Sequence, residues 1–281
     1  MTAEKRTYQD GVFRRLFNDE ESLLELYNGL TGSCYPKGTP IRIVTLEECL
    51  FGDLKNDLAF IIDGKLIILI EHQSTLCPNM PLRMLCYLAK EYEREYYSKI
   101  IYSTQLLKIP TPEMYIFYSG AKDAPLQQDL KLSDAFLEKR DTLYVEVIVR
   151  MININYEKGA RLLKACRKLQ EYSILMHKIR THYRESRDLK AAITLSIREC
   201  IEENILAEFL KKYGGDVMSF LFEELSREEC EAIREEDGAK RGEQRFANLV
   251  QELLKSKELN SLARAAADAE YREKLYQKYG L

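Results

Sequence analysis

The chain has no tryptophan and only three histidines among its 281 residues. His72, His177 and His182 lie too far apart to suggest a histidine-rich metal centre. The seven cysteines (34, 49, 77, 86, 166, 200 and 230) are odd in number and scattered. None forms a CxxC pair, which argues against structural zinc and against a disulfide framework. Any metal should therefore be a hard cation held by oxygen, which points to Mg²⁺ or Mn²⁺. Long apolar runs are missing too: no segment approaches the ~18 uninterrupted apolar residues of a membrane-spanning helix. The N-terminus, MTAEKRTYQDGVFRR, lacks the apolar core of a signal peptide, so an intracellular, cytoplasmic protein with no membrane partner is expected. Internal repeats and low-complexity tracts are also absent.

What is present fits a globular chain, 46% hydrophobic and 31% charged. A net charge of −3 argues against a general nucleic-acid coat, but its distribution is uneven. Residues 161–190 hold nine Lys/Arg against three Asp/Glu, and residues 223–243 hold four against nine. The basic segment is suited to binding phosphates locally, or equally to forming a solvated helix face.

The periodicity predicts an initial helix over 7–30, with Asp10 as a capping residue, and a short strand over Ile41–Glu47. A helix follows over about 81–103, with Leu82, Leu85, Ala89, Tyr92, Tyr96 and Ile100 as its buried stripe and Arg83, Tyr87, Lys90 and Arg94 as a second. Met114–Tyr118 and Leu143–Asn153 read as strands. From 157 onward the pattern is helical, with breaks at Gly214-Gly215 and at Gly238 and a small helical hairpin at the end. This order predicts an α/β core over 1–155 and a helical region over 156–281.

The chemistry concentrates in Asn56–Thr75, NDLAFIIDGKLIILIEHQST, which reads as a β-hairpin turning at Asp63-Gly64. Asp57, Ala59 and Ile61 share one face of the first strand. The second strand is apolar on both faces and so should be central in its sheet. A strict two-residue turn would set Asp57 opposite Ile70 and send Glu71 to the other face. The two acids converge only if the connection has odd length or a bulge, for example with Ile61 paired to Lys65. Glu71 ends a buried strand, where a carboxylate is costly unless it is paired or bound to metal. Gln73 lies on the same face and could orient a water, whereas His72 should face away and serve structure. Asp57 and Glu71 together would suit Mg²⁺, with the carbonyl of residue 72 as a third oxygen, for phosphodiester hydrolysis.

Asn56-Asp57 followed by Glu71-His72-Gln73 resembles the Pro-Asp … Glu-x-Lys signature of the PD-(D/E)xK nuclease superfamily. The run from DGVFRRLFND through KNDLAF, IEHQST and NMPLRMLCYLAKEYE to KIPTPEMYIFYSG and VININYEKG is similar to the Rpn/YhgA-like family of transposase-like, recombination-promoting nucleases. The similarity covers roughly the first 210 residues well and the helical tail more loosely. It implies a restriction-endonuclease-like mixed sheet flanked by helices, with an all-helical C-terminal extension. It also implies Mg²⁺-dependent cleavage of DNA linked to recombination or transposition. RNA as the substrate, and an inactive relative that only binds nucleic acid or protein partners, are the alternatives. Double-strand cleavage by one such site usually calls for two subunits, hence a homodimer. Gln73 replaces the motif's lysine, and Arg83 or Lys90 on the following helix is expected to supply the missing positive charge.

Overall fold

The computed structural model describes residues 11–44, 57–256 and 259–279. Asp10, Asn56 and the second half of the expected strand over 41–47 lie outside them. Two compact units emerge, Met1–Glu224 and Leu225–Leu281.

The first unit is built on a mixed six-stranded sheet. Its strands are β1 (Ile41–Ile43), β2 (Leu58–Ile62), β3 (Leu66–Gln73), β4 (Thr111–Tyr118), β5 (Gln127–Lys131) and β6 (Ile148–Asn153), in the spatial order β1-β2-β3-β4-β6-β5. β3 and β4 run parallel, as do β4 and β6, while β1, β2 and β5 pair antiparallel with their neighbours. As its two-sided apolar pattern requires, β3 is central: Ile67, Ile68, Leu69 and Ile70 are all buried. β5 (QQDLK) was not foreseen, because an exposed edge strand carries no apolar alternation.

Helix α1 (Val12–Leu16) and helix α2 (Glu20–Thr31) replace the single expected helix. The break is at Asp19, whose carboxylate caps α2 by accepting from the Ser22 amide at 2.8 Å. Helix α3 (Met80–Tyr102) begins with Pro81 in its first turn. Its buried side carries Met80, Met84, Tyr87, Leu88 and Glu91, and Leu82 is 52% exposed. The helix is therefore rotated from the expected stripe, so that Tyr87 and the polar Glu91 enter the core while Leu82 and Ala89 do not. Glu91 is accommodated by an ion pair with Arg94 at 2.6 Å.

The helices α4 (Arg161–Ala165), α5 (Arg167–Ser186) and α6 (Leu189–Glu202) complete this unit together with the start of α7 (Ala207–Lys255). The division at 224/225 replaces the expected one at 155/156, because α5 packs onto the sheet. The Ser173 hydroxyl donates to the Ile154 carbonyl at 2.7 Å, and Tyr172 meets Phe13 edge-on at 5.7 Å. Gly214, Gly215 and Gly238 lie inside α7 and do not break it. A glycine inside a helix costs about 1 kcal/mol, which the flanking helix formers offset.

In the second unit, α8 (Leu259–Ala267) and α9 (Ala269–Tyr279) pack with the end of α7 around Leu249, Leu253, Ala265, Leu275 and Tyr276. Among the described residues no helix is long and apolar enough to cross a membrane.

Candidate active site

The β2–β3 connection decides the geometry. Asp63 (φ 50°) and Gly64 (φ 64°) both adopt the left-handed conformation, and the Lys65 amide closes a tight turn onto the Ile62 carbonyl at 2.9 Å. The ladder then pairs Ile62 with Leu66, not with Lys65, so Lys65 is an extra residue. The flanking strands recruit the turn: Thr111 donates to the Lys65 carbonyl at 2.8 Å, and the Asp63 amide donates to Pro40 at 2.9 Å. The required odd-length connection is thus present. Its register differs by one residue on each strand from the Ile61–Lys65 pairing and runs on to Leu58 opposite Ile70. One residue further out, Asp57 stands across from Glu71.

The two acids interlock through the backbone. The Asp57 amide donates to Glu71 Oε1 at 3.2 Å, and the His72 amide donates to Asp57 Oδ2 at 2.6 Å. Glu71 is 4% exposed. Burial first, and then the neighbouring Asp57 charge, push its carboxyl up to about 8, against the opposing pull of Arg83. Burial also raises the Asp57 carboxyl, opposed by the His72 amide and by the charges of Arg14 and Arg83.

Arg83 sits in the first turn of α3, one face of which covers this side of the sheet. Its guanidinium lies 3.3 Å from Glu71 Oε2 and donates to the Tyr87 hydroxyl at 3.0 Å. Of the two cations expected on this helix, Arg83 is the one beside Glu71. Lys90 is different: its amine is buried and has no hydrogen-bond partner. Gln73, two residues beyond Glu71 on the same strand, has its amide nitrogen 2.8 Å from the Met80 sulfur.

Close packing brings the strand ends together. A Cβ at Gly120 would overlap the Ser74 carbonyl oxygen, so only glycine fits where the chain leaves β4 beside the end of β3. On the opposite face, as expected, His72 serves structure. It stacks on Phe13 at 4.8 Å, and its Nε2 lies 2.9 Å from Ser119 Oγ and 3.2 Å from the Tyr172 hydroxyl. Its Nδ1 lies 3.6 Å from Glu224. Burial and the Arg180 charge lower its pKa to about 3, so it is neutral.

The influence of Arg14 on Asp57 was not revealed by the sequence pattern. The Phe13 ring on His72 anchors α1 beside the strand end, and the charge of the next residue acts on Asp57. An arginine doublet directly after a core phenylalanine was the available signal.

The basic segment, by contrast, spends much of its charge internally. Arg167 pairs with Glu171, Lys168 with Asp19, and Lys178 with Glu199 and Glu203. Arg180 donates to Asn155 and to the Ser119 carbonyl. A cleft of about 910 Å³ beside this segment, lined by Arg15, Asp19, Arg167, Lys168, Glu171 and others, includes neither Asp57 nor Glu71.

Two adjacent carboxylates with raised pKa values, Glu71 buried and Asp57 half-buried, suit a hard divalent cation, which would relieve their repulsion. No group of three or more His, Cys, Asp or Glu able to hold a metal occurs among the described residues. The side chains on offer are thus the two acids, a number that suits Mg²⁺, which keeps several waters and takes substrate oxygens. No family model, curated protein or solved structure matches the chain.

Proposed function

We propose that the chain is a metal-dependent DNA endonuclease with a restriction-endonuclease-like core of the PD-(D/E)xK type. It is related to the Rpn/YhgA-like nucleases and acts in the cytoplasm in recombination or transposition. The observation that carries this proposal is the Asp57–Glu71 pair: two interlocked acids at a sheet end, the Glu71 carboxyl pushed up to about 8. An acid pair in which Glu71 stays protonated to about 8 despite Arg83 and the backbone amides is costly, and functional sites are where such cost is retained.

Asp57 and Glu71 would hold Mg²⁺ or Mn²⁺, which supplies Lewis-acid activation of water and charge neutralisation at phosphorus. Arg83 restrains the Glu71 carboxylate and brings the positive charge that Gln73 lacks. The Gln73 amide, at the edge of the same face, orients water. Hydrolysis adds water across one P–O bond, leaving a phosphate on one fragment and a hydroxyl on the other. Cutting both strands calls for two such sites, so the active form is a homodimer.

A second reading is an inactive relative that binds nucleic acid or protein without cutting. It is favoured by the partners both acids already have, Arg83 on Glu71 and the His72 amide on Asp57. Nicking of supercoiled plasmid with Mg²⁺ separates the two. The nuclease assignment expects nicking by the parent and none by Asp57→Ala, and equal behaviour of the two proteins sinks it.

A further inference from the structure

We infer that the outer edge of β5 pairs antiparallel with the same edge of a second copy of this chain, joining two six-stranded sheets across a two-fold axis. The contact is centred on Leu130, with Asp129 of each copy facing Lys131 of the other.

The backbone supplies the free groups. β5 is the last strand of the sheet and pairs only with β6. The Leu132 amide donates to the Val147 carbonyl and the Asn153 amide to the Leu126 carbonyl, both at 2.9 Å. Even-numbered residues of β5 therefore turn their N–H and C=O groups toward β6, and Gln127, Asp129 and Lys131 turn theirs outward. All three are exposed. Such an edge is a ready template for another strand.

Charge selects the occupant and the register. A two-fold contact sets the same surface on both copies, so the edge must complement itself. With Leu130 opposite Leu130, Asp129 and the second copy's Lys131 form a hydrogen-bonded pair, and the symmetric pair repeats it. Centring one residue away, on Asp129 or on Lys131, sets like charges face to face. Lys131 makes no ion pair among the described residues, whereas Asp129 holds Arg150 at 2.9 Å. Within β5–β6, Asp129 lies opposite Arg150 and Lys131 opposite Ile148. The row across the joined sheets thus reads Arg150, Asp129, then Lys131 and Ile148 of the second copy. Lysine at an edge discourages an uncharged strand, but here it meets an acid.

The rim is apolar. Leu126 precedes β5, Phe136 and Leu137 follow it, and Tyr144, Val145 and Ile148 lead into β6; all six are exposed. So much exposed apolar surface in one connected stretch is a mark of an interaction site.

The inference goes beyond the nuclease proposal and does not depend on it. The two sheets run antiparallel, so their acid pairs lie at opposite ends of the joined sheet. This contact is therefore distinct from one that sets two sites on a single duplex.

The test uses the full chain. Sedimentation velocity at rising concentration should show a dimer in reversible exchange with monomer. Lys131→Glu sets acid against acid twice and should weaken the dimer about tenfold. Leu130→Cys should form a disulfide-linked dimer with oxidised glutathione, because a non-hydrogen-bonded antiparallel pair holds its Cα atoms about 4.5 Å apart, within disulfide reach. Gln128→Cys, set several residues from its own copy, should form no more of it than the parent. Circular dichroism confirms that each variant is folded. A chain that stays monomeric overturns the inference. So does a dimer that folded Lys131→Glu leaves unchanged, or the absence of a crosslink at Leu130→Cys. A crosslink at Asp129→Cys instead overturns the register that charge selects. Plasmid nicking reads the nuclease proposal separately, since neither variant touches Asp57 or Glu71.

Discussion

The Asp57 amide donates to the Glu71 carboxylate at 3.2 Å, while the Asp57 carboxylate accepts the next amide on the facing strand, that of His72, at 2.6 Å. Each acid is held by the other's strand. This reciprocity exists only because Lys65 is an extra residue in the hairpin; a one-residue slip would turn Glu71 to the face now occupied by His72.

The pair makes stability depend on pH in a defined direction. Without metal, Glu71 keeps its proton up to about pH 8, and Glu91, buried beside Arg94, up to about 7. Both have an ordinary value of 4.5, so the folded protein holds more protons than the unfolded chain above that value, and stability falls as pH rises. His72 acts in the opposite direction, but only between about 3 and its ordinary 6.5. Thermal melts in chelator should therefore show a falling Tm from about pH 6.5 to 8. Glu71→Gln should shrink that fall and leave the part due to Glu91. A rise in Tm over this window would contradict the assignment.

Gly64 tests the turn. At φ 64° with open space around it, an added methyl meets backbone strain and nothing else. Gly64→Ala should cost about 1 kcal/mol in denaturant unfolding. No loss would mean that the turn relaxes without the left-handed conformation.

Arg83→Ala removes the cation beside Glu71 while leaving both acids in place. Cleavage should fall by about two orders of magnitude, as when one charge-stabilising donor is lost, with duplex affinity changed far less. Equal losses in cleavage and binding would make Arg83 a simple phosphate contact.

Lys90 carries a buried amine without a hydrogen-bond partner. Replacing it by methionine removes that unmet group and keeps the stem's packing. Lys90→Met should stabilise the protein by about 1 kcal/mol and leave cleavage unchanged. A large loss of cleavage would return Lys90 to the chemistry.

The hairpin was legible in the sequence because its cues agree: β-branched runs, an Asp-Gly turn and acids at matching ends. The odd connection followed from strand periodicity alone. What set its register was not legible, because Lys65 and Asp63 are captured by Thr111 and Pro40 from other strands. α3 was placed but rotated, since Tyr87 and Glu91 are buried through specific partners that a hydrophobicity count treats as exposed. Arg14 was missed for a similar reason: its influence on Asp57 depends on α1 docking through Phe13, a contact far away in sequence. The continuity of α7 through Gly214-Gly215 shows propensity overridden by helix length.

Anomalous diffraction from crystals soaked in Mn²⁺ addresses the Asp57–Glu71 pair directly. The expected result is one peak between the two carboxylates, absent in the Asp57→Asn variant. No peak there at saturating Mn²⁺, with Arg83 still seated on Glu71, would contradict a metal-dependent site.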